Sequence, residues 1–441
     1  MRIVGVGDWC DLGALYVRLQ EEGHEVRVVI GQAQSQGTLR GFITTSPTLE
    51  DAVAWSRAGN AGSLIIFEDA KQGELQDRLR RDGHLVVGGS AYGSRLEGDR
   101  AFAQQELRAL QLPVARTEEF SDYAAAIAFL EEVRGLWVYK YNGDRFPSTH
   151  TYVGQLADSS DVIALLRRHA LHWRFDDAPS FILMERVTGV EVGVGAWFDG
   201  SDFVPGARCI DFEHKHLFPG DLGELTGEMG TLVRYRGAER IFNRVLAPMA
   251  PRLRKSGYHG WINLNTIINA QGIWPLEFTC RFGYPGFAIL EPLQCDAWGD
   301  LLLRVASGRG ADFTTRPEWS VGIVLTVPPF PNLRMAAEDS VGMPVSFRRT
   351  LLPEELRHLH FNEIARDEGG LVNVGIMGNL MVATGMGLTV AAARARATAI
   401  AQLVVSPNLR WRNDIGAAFE ARHRQQLVAW GWLEDDTHAA P

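Results

Sequence analysis

Short apolar runs alternate with helical patterns through the first 95 residues. Residues 2–6, 25–30, 63–67 and 84–87 read as strands, and residues 12–22 read as a helix between the first two. Strands spaced by helices point to a parallel sheet with covering helices. Residues 1–95 are therefore expected to form an amino-terminal parallel α/β domain.

The pattern changes at about residue 113. Strands at 113–120, 136–141 and 149–153 surround helices at 123–133 and 160–169, which describes a compact α+β lobe over 113–180. Longer strands follow at 181–185, 191–198, 260–269 and 272–278, the last two joined by a Gln-Gly turn that reads as a hairpin. A new strand at 321–327 after Thr315-Arg-Pro-Glu318, and a helix at 389–403, suggest a separate carboxy-terminal domain over 317–441.

A chain of 441 residues exceeds what one hydrophobic core fills, in keeping with several subdomains. The net charge of −9 disfavours nucleic acid and anionic membranes as partners. No run of about 18 apolar residues and no basic leader is present, so a cytoplasmic protein is expected. Cys10, Cys209, Cys280 and Cys295 are widely spaced with no Cys-x-x-Cys pair, and are expected to be buried free thiols.

Two stretches carry chemistry. Gly5-Val-Gly7 ends the first strand like a phosphate loop, but Cys10 stands where a third glycine is needed and Asp8 and Asp11 crowd the turn. The second, Pro275-Leu-Glu-Phe-Thr-Cys-Arg-Phe-Gly-Tyr-Pro-Gly286, sets Glu277, Thr279 and Arg281 two residues apart, with Asn265 on the partner strand. Oxygen ligands on adjacent strands suit Mg²⁺, and the neighbouring arginine suits charge developing on a phosphoryl or acyl group.

The same stretch, Leu276 to Gly286, resembles the L-E-F-N-C-R-F-G-D-P-E strand of the phosphoribosylamine-glycine ligases, members of the ATP-grasp superfamily of carboxylate-amine ligases. Glu213 to Gly230, "EHKHLFPGDLGELTGEMG", is similar to their D-H-K-R-x-x-D-G-D-x-G-P-N-T-G-G-M-G loop without a gap. Leu96 to Ala103 and Trp411 to Gly416 look like their L-E-G-S-K-A-F-A and Y-R-x-D-I-G. The resemblance implies a two-lobed ATP-grasp core, with a large lobe at 96–112 and 181–316 and a lid lobe at 113–180.

It also implies roles. Lys140 and Arg100 would meet ATP phosphates, with Ser148 and Thr149 on the loop above them; main chain from Glu185 to Val187 would meet adenine, and Glu191 the ribose. Glu277, Thr279 and Asn265 would hold Mg²⁺. Arg281 and Gly283 would lie near the acid substrate, with Glu213 and Lys215 near its amine.

The sequence departs from that family where a phosphorylated amine would bind. The amino-terminal G-x-G-x-R-E-H-A is replaced by Gly5-Val-Gly-Asp-Trp-Cys-Asp-Leu12, and the phosphate loop loses two glycines and a lysine over 140–150. The expected function is ATP-dependent amide formation through an acyl phosphate, on a small amino acid and an amine other than phosphoribosylamine. True glycinamide ribonucleotide synthesis and a non-catalytic nucleotide-binding regulator are the alternatives. A monomer or homodimer is expected.

Overall fold

The computed structural model describes residues 1–59, 62–142, 150–310, 313–331 and 340–434. Residues 1–95 form a parallel sheet in the order Thr44–Thr45, Glu25–Ile30, Arg2–Gly7, Ser63–Phe67, Val86–Val87. Helix Gly13–Glu21 buries Leu15, Tyr16 and Leu19 on it, as the expected strand-helix-strand pattern requires. The observed helix is a residue shorter than expected at each end, and the first strand runs one residue further, to Gly7.

The expected lid lobe is an antiparallel sheet in the order Thr117–Phe120, Phe181–Glu185, Trp137–Tyr141, Tyr152–Val153, backed by helices Tyr123–Val133 and Ser160–His172; Phe181–Glu185, expected to open the large lobe, is instead a central strand of this sheet. The first of those helices starts at 123 because the Asp122 carboxylate accepts from the amides of Ala124 and Ala125.

Among the described residues the large lobe is built on eight strands. Their order is Gly272–Thr279, His259–Asn269, Val190–Asp199, Phe203–Glu213, Gly230–Arg234, Trp319–Thr326, Asn379–Gly387, Leu359–Phe361. The expected hairpin is present, with Asn269 opposite Gly272 and Asn265 opposite Glu277. The boundary near 317 does not separate two sheets. Trp319–Thr326 pairs with Gly230–Arg234, so three strands of the carboxy-terminal segment extend the large-lobe sheet. The fully buried run from Val321 to Leu325 explains this: a strand apolar on both faces needs covered neighbours on each side. A second small sheet (Ile364–Asp367, Gly370–Asn373, Pro344–Phe347, Val404–Val405) and helix Val390–Ala401 complete the segment.

One apolar cluster joins Leu15 and Leu19 of the amino-terminal helix to Phe282, Ile289, Trp298 and Leu302 of the large lobe. This packing brings the carboxyl ends of the parallel strands up to Arg281. Cys10, Cys209 and Cys280 are buried free thiols, but Cys295 is exposed because it lies in a surface connection where its amide bonds the Thr314 carbonyl. Among the described residues no helix is long and apolar enough to cross a membrane.

Candidate active site

Strand alternation puts the inward side chains of four neighbouring strands on one face of the large sheet. Glu277 and Thr279 face Asn265 and Asn263 across the hairpin, and Asn265 and Asn263 face Gly193 and Gly195 on the next strand. Gly193 and Gly195 in turn pair with Asp211 and Cys209. A Cβ at Gly193 would overlap Asp211 Oδ1, and one at Gly195 would overlap the Trp261 ring. The two glycines thus make room for Asp211 and Trp261, which with Glu213, Lys215, Glu277, Thr279 and Arg281 wall a cavity of about 410 Å³.

Lys215 sits at the centre of the charges. Its ammonium lies 3.0 Å from Glu191 Oε1, 3.0 Å from Glu213 Oε2 and 3.6 Å from Glu277 Oε1. The Lys215 charge holds the Glu277 carboxyl down at about 2 against the effect of burial, helped by Lys140 and Arg100. Glu213 is raised by burial, with Lys215 opposing. Lys140 is lowered, first by burial and then by Arg100 and Lys215, while Glu277 opposes. Lys140, on the lid strand, therefore shares an electrostatic environment with Glu277 on the large lobe.

Glu191 Oε1 also accepts from Asn265 Nδ2 at 2.7 Å, which ties this residue, expected at the ribose, to the Glu277 side of the cleft. The donor set fits a hard cation. Asn265 is 4% exposed and its Oδ1 has no hydrogen-bond partner among the described residues, directly across the hairpin from an ionised carboxylate. Thr279 stands one inward position further along the same strand, half-buried at the cavity wall.

Val187 packs with Leu276 on an apolar cluster of Val138, Ile182 and Met184, flanked in sequence by Lys140 and Glu277. The Glu185 amide is taken by the Arg116 carbonyl at 2.8 Å, and its side chain is exposed. Ser148 and Thr149 lie outside the described residues.

Arg281 is aimed toward the amino-terminal domain. Its Nε donates to Glu97 Oε1 at 3.0 Å, and the Cys280 amide donates to Glu97 Oε2 at 2.7 Å. Gly283 lets the guanidinium lie back, since a Cβ there would overlap Arg281 Nη1. Asp11 and Asp69 share its charge environment, with Asp8 beside the two acids. Burial raises the Asp11 carboxyl, Arg281 lowers it, and Asp69 and Asp8 raise it further. Behind them the Asp11 amide donates to Glu68 Oε2 at 2.8 Å, and Glu68, 1% exposed, is pushed up to about 8 by burial and then by the Asp11 charge.

Several site residues escaped the sequence patterns. Glu97 stood inside a matched motif without an assigned partner. Asp211 precedes Glu213 by two, the spacing that shares a strand face, and that signal was available. The Trp411 to Gly416 motif is structural. Arg412, 1% exposed, pairs with Asp414 at 2.8 Å and Asp221 at 3.1 Å, and the Gly220 amide donates to Asp414, so it clasps the loop that follows Lys215.

Residues 98–287 match the phosphoribosylglycinamide synthetase ATP-grasp (A) domain. Those residues are an ATP-grasp domain of the phosphoribosylglycinamide synthetase kind, and the chain as a whole is similar to the phosphoribosylamine-glycine ligases. This ATP-grasp ligase is 26% identical over 434 residues to a phosphoribosylamine-glycine ligase of Mycobacterium bovis, covering 94% of the chain and 98% of that relative. It is 27% identical over 372 residues to the one of Salmonella typhimurium, covering 79% and 81%. Among solved structures, a phosphoribosylamine-glycine ligase from Thermotoga maritima superposes with a TM-score of 0.70 at 20% identity, over 94% of this chain and 100% of that one. A biotin carboxylase from Campylobacter jejuni gives a TM-score of 0.60 at 12% identity, over 99% and 98%. At those identities the structures testify to the fold alone.

Proposed function

We propose that this ATP-grasp ligase joins the carboxylate of an amino acid to an amine other than phosphoribosylamine, with ADP and phosphate as co-products. One observation carries the choice of amine: the strand ends that face Arg281 present Asp8, Asp11 and Asp69, with Glu68 behind them. A phosphate monoester there would be repelled by Asp11 and Asp69, while Arg281 is already paired by Glu97.

In this mechanism a substrate carboxylate oxygen attacks the γ-phosphorus of ATP and ADP leaves. The amine then attacks the acyl carbon, the carbon–oxygen bond to phosphate breaks, and the amine nitrogen loses a proton. Glu277 and the Asn265 amide oxygen would hold Mg²⁺, which supplies charge neutralisation at the phosphates. Lys140 and Arg100 balance the remaining phosphate charge from the lid side and the helix start. Arg281, fixed by Glu97, stabilises the oxyanion as the amine adds, and Glu213 holds the amino group of the acid substrate. The apolar surface of Val187 and Leu276, backed by Val138, Ile182 and Met184, would support adenine.

The test is ADP release by the purified chain with Mg²⁺-ATP, glycine and other amino acids, and a panel of amines. ADP that depends on both substrates is expected, and Glu277→Ala should slow it by about 100-fold or more. Amino-acid-independent ATP hydrolysis, or full activity in Glu277→Ala, would remove the basis of the proposal. The full-length relatives favour a second reading, phosphoribosylamine-glycine ligation itself. Rapid turnover with phosphoribosylamine and glycine would establish it in place of the first.

A further inference from the structure

The cavity beneath Glu277 is larger than a two-carbon acid needs, and it is unusually acidic. Beyond Glu213 it is walled by Asp211 and Glu228, and by Cys209, Val233 and Trp261. None of the residues lining it comes from the amino-terminal domain, so it lies on the acid-substrate side of Arg281 rather than the amine side.

Asp211 is 5% exposed. Asn263 Nδ2 donates to its Oδ2 at 2.7 Å, while its Oδ1 has no hydrogen-bond partner among the described residues. Glu228, half-buried, accepts from the Thr231 hydroxyl, and its ionisation is opposed by burial and by the charges of Glu213 and Asp211. Lys215 is shared among Glu191, Glu213 and Glu277, which leaves Asp211 and Glu228 with no ion pair among the described residues. A buried carboxylate oxygen without a donor, beside a second carboxylate, is a place for a cation.

We propose, resting on the ligase reading above, that the acid substrate is a diamino acid: Glu213 takes its α-ammonium, and the side-chain ammonium lodges between Asp211 and Glu228. The spacing supports this. Glu213 and Asp211 are consecutive inward positions of strand Phe203–Glu213, which sets them about 7 Å apart along the strand, a span suited to a stem of about three or four methylenes. Val233, opposite Asp211 on the next strand, borders the ammonium end, and Cys209 and Trp261 close the cavity beyond it. A neutral side chain of equal length fills the same space and leaves Asp211 Oδ1 without a donor, which is the basis of discrimination.

The test is calorimetric titration of the full chain with L-lysine, L-ornithine, L-norleucine, L-norvaline and glycine, each with and without Mg²⁺-ADP. The basic amino acids should bind at least about tenfold more tightly than their neutral counterparts, and Asp211→Asn should bring the two classes to parity. Glu228→Gln should narrow the gap in the same direction, which keeps the test intact if Asp211→Asn misfolds. Equal affinity for lysine and norleucine, a preference for glycine, or no amino-acid binding in either condition would overturn the diamino-acid assignment. The two proposals fail separately. Asp211-dependent lysine binding without ADP formation in the presence of amines would sink the ligase reading alone, and ADP formation restricted to glycine or neutral amino acids would sink this one alone.

Discussion

Lys215 is the residue on which the charge of the site turns. It lies within 3.6 Å of three carboxylates and keeps Glu277 ionised. In Lys215→Met those carboxylates lose their shared counter-ion, and because Glu191 and Glu277 are partly solvated urea denaturation should show a loss of about 1–2 kcal/mol. Mg²⁺-ADP supplies a replacement cation, so it should raise the melting temperature of this variant more than that of the wild type; an equal rise would mean that the nucleotide binds elsewhere. Glu277 and Arg281 were legible in the sequence because a strand motif fixed their spacing. Asp211, Glu97 and Glu68 were not, because an acid takes on meaning only from what burial leaves beside it, and that depends on partners far away in the chain.

Strand Val190–Asp199 shows what a single element contributes. Its inward positions read Glu191, Gly193, Gly195, Trp197, and the two without side chains are where Asp211 and Trp261 settle as walls of the cavity. Gly195→Ala should push its Cβ into the Trp261 ring and cost about 1–3 kcal/mol, measurable by thermal or urea unfolding. A neutral result would show that Trp261 has somewhere else to go. The pattern of hydrophobic residues located this strand, both members of the hairpin and the Tyr123–Val133 helix. It missed Phe203–Glu213, where Pro205 and Gly206 interrupt the alternation, although that strand carries Asp211 and Glu213. It also left 31–62 without elements, although the Thr48 hydroxyl caps helix Leu49–Arg57 by accepting from the Asp51 amide.

At the scale of the whole molecule, buried ionisable groups set a pH dependence. Burial pushes Glu68 up to about 8 and Glu363 up to about 7, and pushes His360 down to about 3. The two carboxyls bind protons more tightly folded than unfolded. Their contribution is complete below about 4.5 and is lost as pH rises toward 7 and 8. His360 acts in the opposite sense: the unfolded chain takes up its proton below about 6.5 and the folded chain does not, so stability falls from there toward pH 3. The melting temperature should therefore be highest on the acid side of neutrality and fall between about pH 6.5 and 8, and Glu68→Gln should flatten that alkaline decline. A wild-type maximum at pH 8 would contradict the buried state of these acids. The α/β character and the lobes were legible because they follow from local periodicity. The joining of 319–387 to the large-lobe sheet was not, because pairing between distant strands leaves no local mark.

The clasp at Arg412 has a consequence for biogenesis. The turn at Gly220 and Asp221 is fastened by groups about 190 residues downstream, the Arg412 guanidinium and the Asp414 carboxylate. On a translating ribosome the segment bearing Glu213 and Lys215 would emerge long before its fastener. A nascent chain halted short of residue 412 should thus hold most of its sheet and yet grip no nucleotide, with competence arriving only when the final tenth of the polypeptide is made.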